Sequence, residues 1–135
     1  DLVRVAGSGW AGELVYRDYS PPFGNVTLQV EAKVSVVPDG LLLQLMYPQE
    51  PHANSTDLLA VSPDGKTFGG DPVIAHDEQA GILTIITRAD CEDDERAAVC
   101  ENFYTFGKSV MGIRKMVSFP GETAALQRNE FVFRR

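Results

Sequence analysis

A chain of 135 residues with 44% hydrophobic and 23% charged residues fits one globular domain, predicted here over residues 1–135. Its 12 basic and 19 acidic residues give a net charge of −7, which argues against binding to nucleic acid or to an anionic membrane surface. No apolar run approaches the roughly 20 residues that a membrane-spanning helix needs.

Period-two alternation begins close to the amino terminus. The lead "DLVRVAG" (1–7) predicts one or two helical turns at most. After the glycine-rich "GSGW", the segment "WAGELVYRDY" (10–19) alternates and places Trp10, Leu14 and Tyr16 on one side of a strand.

The second segment, "NVTLQVEAKVSVV" (25–37), alternates most clearly. Every second residue from Val26 to Val36 is apolar, and the residues between them are mostly polar, which predicts a long strand with one buried face. Further segments of strand-like composition follow at 40–48, 55–62, 71–77, 81–88, 100–106, 109–119 and 123–135. Turn-forming proline, aspartate and glycine residues lie between many of them.

This spacing predicts an all-β fold. Nine or ten strands, each about ten residues from the next, form an antiparallel meander that must hide its edges in a barrel or a two-sheet sandwich. The short turns favour a single up-and-down barrel of about 8–10 strands. Apart from residues 1–7, only "DDERAAV" (93–99) has a helical composition.

Both cysteines lie in "ADCEDDERAAVC" (89–100), between two predicted strands. Their spacing matches neither a C-x-x-C motif nor a zinc set, and the acidic residues lack the glycine of a calcium loop. We therefore predict a disulfide between Cys91 and Cys100 across a hairpin tip, and no metal site. A disulfide predicts a secreted or periplasmic protein, and a chain that starts at Asp1 without a leader suits a mature product.

A second unusual segment is "YPQEPHANSTD" (47–57). Pro48 and Pro51 cannot donate to a sheet, so this segment predicts a rim loop, either solvated or facing a ligand. The loop contains His52. The other histidine, His76, lies near a predicted strand end and is interpreted as a surface residue.

A tryptophan that opens the first strand, after "GSGW", and an arginine in the last strand, "QRNEFVFRR", resemble the signature of the calycin barrels: lipocalins, fatty-acid-binding proteins and nitrobindin-like proteins. We expect Arg128 to lie over Trp10 and close the barrel, because Arg134 and Arg135 are at a terminus that frays. The resemblance implies an interior that holds a small apolar molecule. Haem ligation by a late histidine does not transfer, since no histidine follows His76, and no cofactor is expected.

The direction of the last-strand side chains stays open. If Phe131 and Phe133 point inward, Asn129 does too, while Arg128 and Glu130 point outward. The opposite phase brings Arg128 and Glu130 inside and suggests a carboxylate-bearing ligand, as in fatty-acid-binding barrels. A bulge would change the phase midway.

The favoured hypothesis is a barrel that binds a small hydrophobic or amphipathic molecule, because no conventional catalytic motif is present. The predicted lining residues are Leu14, Tyr16, Val30, Val34, Leu43, Leu45, Arg114 and Arg128. One alternative is a barrel enzyme with an interior polar cluster of Tyr16, Arg114, Arg128 and Glu130. Another is a barrel filled by its own side chains that acts through a surface partner.

Overall fold

The computed structural model describes residues 2–135, which form ten antiparallel strands and, within this range, no α-helix. The strands are β1 (Gly7–Asp18), β2 (Gly24–Val37), β3 (Gly40–Met46), β4 (Ser55–Ala60), β5 (Thr67–Phe68), β6 (Asp71–Gln79), β7 (Ile82–Asp93), β8 (Arg96–Phe106), β9 (Val110–Ser118) and β10 (Leu126–Arg134). Two short 3-10 helices, Leu2–Val5 and Pro51–Ala53, complete the described structure.

The strands lie in the order β4-β3-β2-β1-β10-β9-β8-β7-β6-β5, so the first and last long strands are paired in the middle of the sheet. The two outermost strands meet through a bridge between Val61 and Phe68. The Gly69 N–H also donates to the Ala60 carbonyl, 2.8 Å away. These contacts make a nearly closed barrel, and the predicted all-β, up-and-down architecture is confirmed.

The core lies on the inner face of the barrel. In the middle of β2 and along β3, alternate side chains are almost completely buried because successive side chains of a strand point to opposite faces. The register pairs Val34 with Leu43 and Ala32 with Leu45, so the apolar faces of the two strands coincide. The predicted long strand is therefore present, and its inner face is buried at Val30, Ala32 and Val34. Val36, predicted on the same buried face, is 49% exposed.

Close packing of β1 against β10 requires a glycine. A Cβ added at Gly12 would lie 1.7 Å from the carbonyl oxygen of Val132 on β10. A side chain at this position would force the two backbones apart.

Two details differ from the sequence-based expectation. Residues 93–99 are not helical: β7 and β8 are joined by the two-residue turn Asp94–Glu95, in which both residues have positive φ. This backbone suits the right-handed twist of a hairpin, and it forms here without the usual glycine. The two-residue strand β5 was not expected. Residues 2–5 of the first segment form a helical turn, and Asp1 lies outside the described residues.

The disulfide between Cys91 and Cys100 is present, as predicted, with the two Cα atoms 5.9 Å apart. It joins the two strands of the β7–β8 hairpin near its tip. Together with Val117 and Phe119, the cysteines belong to a small apolar cluster that is separate from the main core. The far part of the hairpin is therefore held both covalently and by packing.

Candidate functional site

One end of the barrel is closed by Trp10. Its side chain is almost fully buried, and its indole N–H donates to the Val5 carbonyl, 3.0 Å away. The Arg135 guanidinium lies 4.2 Å from the indole ring centroid. The expected pairing of Trp10 with Arg128 is thus wrong. Arg128 lies instead over the ring of Tyr19, at the other end of β1.

Arg135 does not fray because its side chain has several backbone partners. It donates to the carbonyls of Lys108 at 2.7 Å, Ala6 at 2.9 Å and Arg4 at 3.0 Å. These carbonyls belong to the segment around the amino-terminal helix and to the β8–β9 turn. The Arg135 guanidinium therefore connects the carboxyl-terminal residue to both of these parts of the chain, over the indole ring.

The predicted apolar wall is packed rather than open. Val30, Val34, Leu43 and Leu45 are between 1% and 5% exposed and belong to the main core cluster. Side chains this well covered border neither solvent nor a space of ligand size. A ligand-binding site in this barrel therefore has to be lined by residues other than these four.

The opposite end of the barrel is crossed by the β7–β8 hairpin. Asp93, at its tip, accepts a hydrogen bond from the Tyr19 hydroxyl at 2.5 Å and another from Arg128 Nε at 3.3 Å. Since β8, β9 and β10 separate β7 from β1 in the sheet, these contacts bring the hairpin tip across the barrel mouth. Arg128 also donates to the Arg17 carbonyl.

Tyr19 is a hydrogen-bond donor at neutral pH. Burial, reinforced by the hydrogen bond to Asp93, raises the pKa of Tyr19 to about 12. The Arg128 guanidinium acts in the opposite direction, but its effect is smaller. The Tyr19 hydroxyl therefore keeps its proton and continues to hold the Asp93 carboxylate.

Below this hairpin lies a pocket of about 330 Å³, which we call the mouth pocket. It is lined by Leu14, Tyr16, Asp93, Lys115, Arg128, Asn129 and Phe131. Of the predicted ligand-binding residues, it brings together Leu14, Tyr16 and Arg128. Two cations and one carboxylate line it, so the local charge is positive in a protein whose net charge is −7.

A bulge in β10 explains why Arg128 and Asn129 both reach the mouth. The pairing of β10 with β9 shifts between Gln127 and Asn129, so the inward phase changes there. Phe131 is packed against the core on the same face as Asn129. The structure thus combines the two phases that the sequence left open.

The interior polar cluster considered as an alternative is not assembled. Arg114 and Glu130 are paired in register on the outer face, where the Arg114 guanidinium lies 4.6 Å from the Phe103 ring centroid. Arg114 therefore does not line the interior, contrary to its predicted role. Of the predicted cluster, Tyr16 and Arg128 do line the mouth pocket, but Lys115 and Asn129 take the places of Arg114 and Glu130 there.

Sequence reasoning missed a row of polar side chains on the inner face. Register pairs Tyr16 with Asn129, Asn129 with Lys115, Lys115 with Asn102 and Asn102 with Thr87. These five residues, one from each of five adjacent strands, form what we call the polar belt. The alternation of side chains along each strand does indicate that these residues point inward. Lys115 is in phase with the buried residues Met111 and Val117. Asn102 is in phase with the buried residues Cys100 and Tyr104.

The side chains of the polar belt make no hydrogen bond or ion pair within residues 2–135. Thr87 is the extreme case, because it is completely buried and its hydroxyl has no partner in the described part of the chain. Buried polar atoms are normally paired, so the belt has unused hydrogen-bonding capacity.

The histidines lie away from the mouth pocket. The side chain of His52 is 81% exposed, on the 3-10 helix of the predicted rim loop, and its nearest acidic atom is Glu50 Oε2 at 4.0 Å. In the same loop, Asn54 Oδ1 accepts a hydrogen bond from the Tyr47 N–H, which gives it a structural role. His76 borders a separate pocket of about 200 Å³ beside β5.

Comparison of the chain with protein-family models and with curated proteins found no match. None of the helical segments in residues 2–135 has the length and hydropathy needed to cross a membrane. Over the same range, no group of three or more histidine, cysteine or acidic residues is arranged to hold a metal ion.

Proposed function

We propose that the protein binds a small amphipathic anion, with its charged group in the mouth pocket. The observation that carries this proposal is Lys115, a cation on the inner face of the barrel that makes no ion pair with residues 2–135. A partly buried ammonium without a counter-ion is costly, and an anionic ligand removes that cost.

The surroundings of Lys115 suit the rest of such a ligand. Leu14 and Phe131 give the pocket an apolar wall, whereas Arg128 and Asn129 add further donors. A volume of about 330 Å³ is at the small end of ligand pockets, so the site fits a compact molecule or one end of a longer chain. Asp93 is the partner of Arg128, so Lys115 is the cation left for the ligand.

The wider setting agrees with an exported, calycin-like binding protein. The nearly closed ten-stranded barrel and the tryptophan beneath an arginine at its closed end support the calycin resemblance. The disulfide supports residence in an oxidising compartment such as the periplasm or the extracellular space. Fold likeness alone does not identify a ligand, and the chemistry of the mouth pocket carries the assignment of ligand class.

Calorimetric titration with three ligands of equal chain length tests the proposal: decanoate, decanol and a decylammonium salt. Decanoate should bind near 1:1 with micromolar affinity, and the other two at least tenfold more weakly. Lys115→Met should remove the preference for decanoate because the apolar stem stays and the charge goes. Lys33→Met, on the exposed face of β2, is the matched control and should change nothing.

Equal affinity for the three ligands would contradict the proposal, as would a preference for decanoate that survives Lys115→Met. Failure of all three to bind would favour the alternative of a filled barrel that acts through a surface partner.

A further inference from the structure

Three members of the polar belt lie in the mouth pocket. Tyr16, Asn129 and Lys115 are half-buried, and all three line the pocket. The register pairs Tyr16 with Asn129 and Asn129 with Lys115, so the three residues lie on adjacent strands about 5 Å apart. A ligand group that enters the pocket beside Lys115 is therefore within reach of the other two side chains.

An apolar row lies next to this polar row. Leu14 and Phe131 are paired in register and also line the pocket, and each is two residues from Tyr16 or Asn129 along its own strand. Two residues of a strand span roughly 7 Å. The pocket is thus polar at the level of Lys115 and apolar one level deeper, towards the end that Trp10 closes.

The side chains beside Lys115 need a donor as well as an acceptor. Tyr16 and Asn129 face each other across the β1–β10 pair, but neither side chain makes a hydrogen bond with any residue in the range 2–135. A carboxylate only accepts hydrogen bonds, so it can pair with the Asn129 NH₂ group or the Tyr16 hydroxyl but not with the Asn129 side-chain oxygen. That oxygen is left for a hydrogen-bond donor close to the carboxylate.

We infer that the ligand of the mouth pocket is a 2-hydroxy acid, whose hydroxyl donates to Asn129 and accepts from Tyr16 while its carboxylate binds Lys115. This inference rests on the proposed function, since it takes the anionic group to be at Lys115. A hydroxyl on the carbon next to the carboxylate stays at the level of the polar row, and the remaining chain packs on Leu14 and Phe131. An ammonium in the same place would lie beside Lys115 and is disfavoured by like charge.

Calorimetric titration of three acids of equal chain length tests the inference: decanoate, 2-hydroxydecanoate and 6-hydroxydecanoate. The 2-hydroxy acid should bind about tenfold more tightly than decanoate, which is the net contribution of about one hydrogen bond. The 6-hydroxy acid should bind no more tightly than decanoate, because its hydroxyl lies beyond the polar row.

Variants then assign the tenfold affinity ratio of 2-hydroxydecanoate to decanoate. Asn129→Leu and Tyr16→Phe should each lower this ratio to about three or less, because each removes one partner of the hydroxyl. Both changes keep the side chain near its original size, so both variants should fold, and the urea midpoint checks this. Asn102→Leu is the matched control: it removes an amide from the same belt that does not line the pocket, and it should keep the ratio.

The outcomes separate this inference from the proposed function. If decanoate binds through Lys115 and the 2-hydroxyl adds nothing, the hydroxyl contact is refuted and the anion site stands. A ratio that stays near ten in either folded pocket variant, or that falls equally in Asn102→Leu, also refutes it. If no acid binds at all, the proposed function and this inference fail together.

Discussion

The closed end of the barrel gives a prediction whose size follows from the contacts of Arg135. Arg135→Ala removes the stacking on Trp10, worth about 0.5–1 kcal/mol at a site open to solvent. It also removes hydrogen bonds to the carbonyls of Lys108, Ala6 and Arg4, each worth about 0.5–1 kcal/mol net when partly exposed. We expect the free energy of unfolding to fall by about 2–4 kcal/mol.

The measurement is urea denaturation followed by far-ultraviolet circular dichroism. Fluorescence is unsuitable because Trp10 is the only tryptophan and is itself to be changed. In a double-mutant cycle, Arg135→Ala and Trp10→Phe should couple by at least about 0.5 kcal/mol, since residues in contact do not act additively. Arg134→Ala, next in the chain and exposed, is the control and should stay within about 0.5 kcal/mol of the parent.

Arg128→Ala provides the contrasting cycle. Its guanidinium lies over Tyr19, far from the indole, so its effect should simply add to that of Trp10→Phe. The assignment of the closing arginine would be refuted if Arg135→Ala cost less than about 0.5 kcal/mol, or if Arg128, in place of Arg135, coupled to Trp10.

Three further predictions test the framework of the barrel. Gly12→Ala should cost several kcal/mol or prevent folding, because its Cβ meets a backbone oxygen at 1.7 Å; Gly112→Ala, where the nearest atom is 3.6 Å away, should leave the urea midpoint unchanged or slightly raised. Replacing Cys91 and Cys100 together by alanine should lower the free energy of unfolding by about 2–3 kcal/mol. Burial raises the pKa of Tyr104 to about 12, so the folded state holds this proton more strongly than the unfolded state does. The Tyr104 contribution to stability is therefore fully present below pH 10 and lost as the pH rises towards 12, and Tyr104→Phe should flatten alkaline unfolding curves over that range.

Much of the fold could be predicted because alternation directly reports which face of a strand is buried. The segment 25–37 became β2, whose predicted inward face is buried in the middle of the strand but not at Val36, and the pair of cysteines was correctly placed on one hairpin. The turn Asp94–Glu95 and the short strand β5 carry no such signal: one lacks glycine, and the other is two residues long.

The candidate site was only partly predictable for a different reason. Alternation placed Leu14 and Tyr16 inside, but it could not show that the hairpin tip crosses the mouth, because the contact of Asp93 with Tyr19 joins residues 74 positions apart. Only closure of the sheet brings them together. The terminal position of Arg135 predicts fraying, whereas hydrogen bonds to backbone carbonyls hold its side chain in place. Lys115 is in phase with Met111, so alternation places its side chain on the inner face, whereas the residue predicted to line the interior was its neighbour Arg114.

The pairing of β1 with β10 has a consequence for how this protein folds. Residues 7–60 form one meander and residues 67–134 another, and each can develop from contacts between near neighbours in the chain. The two meanders are then joined along β1 and β10, where Ala11 pairs with Arg134, and only weakly along β4 and β5. During synthesis on the ribosome, β1 can pair with β2 but not with β10 until β10 has emerged. Joining the halves requires closure of a very large loop, so this step should limit the folding rate.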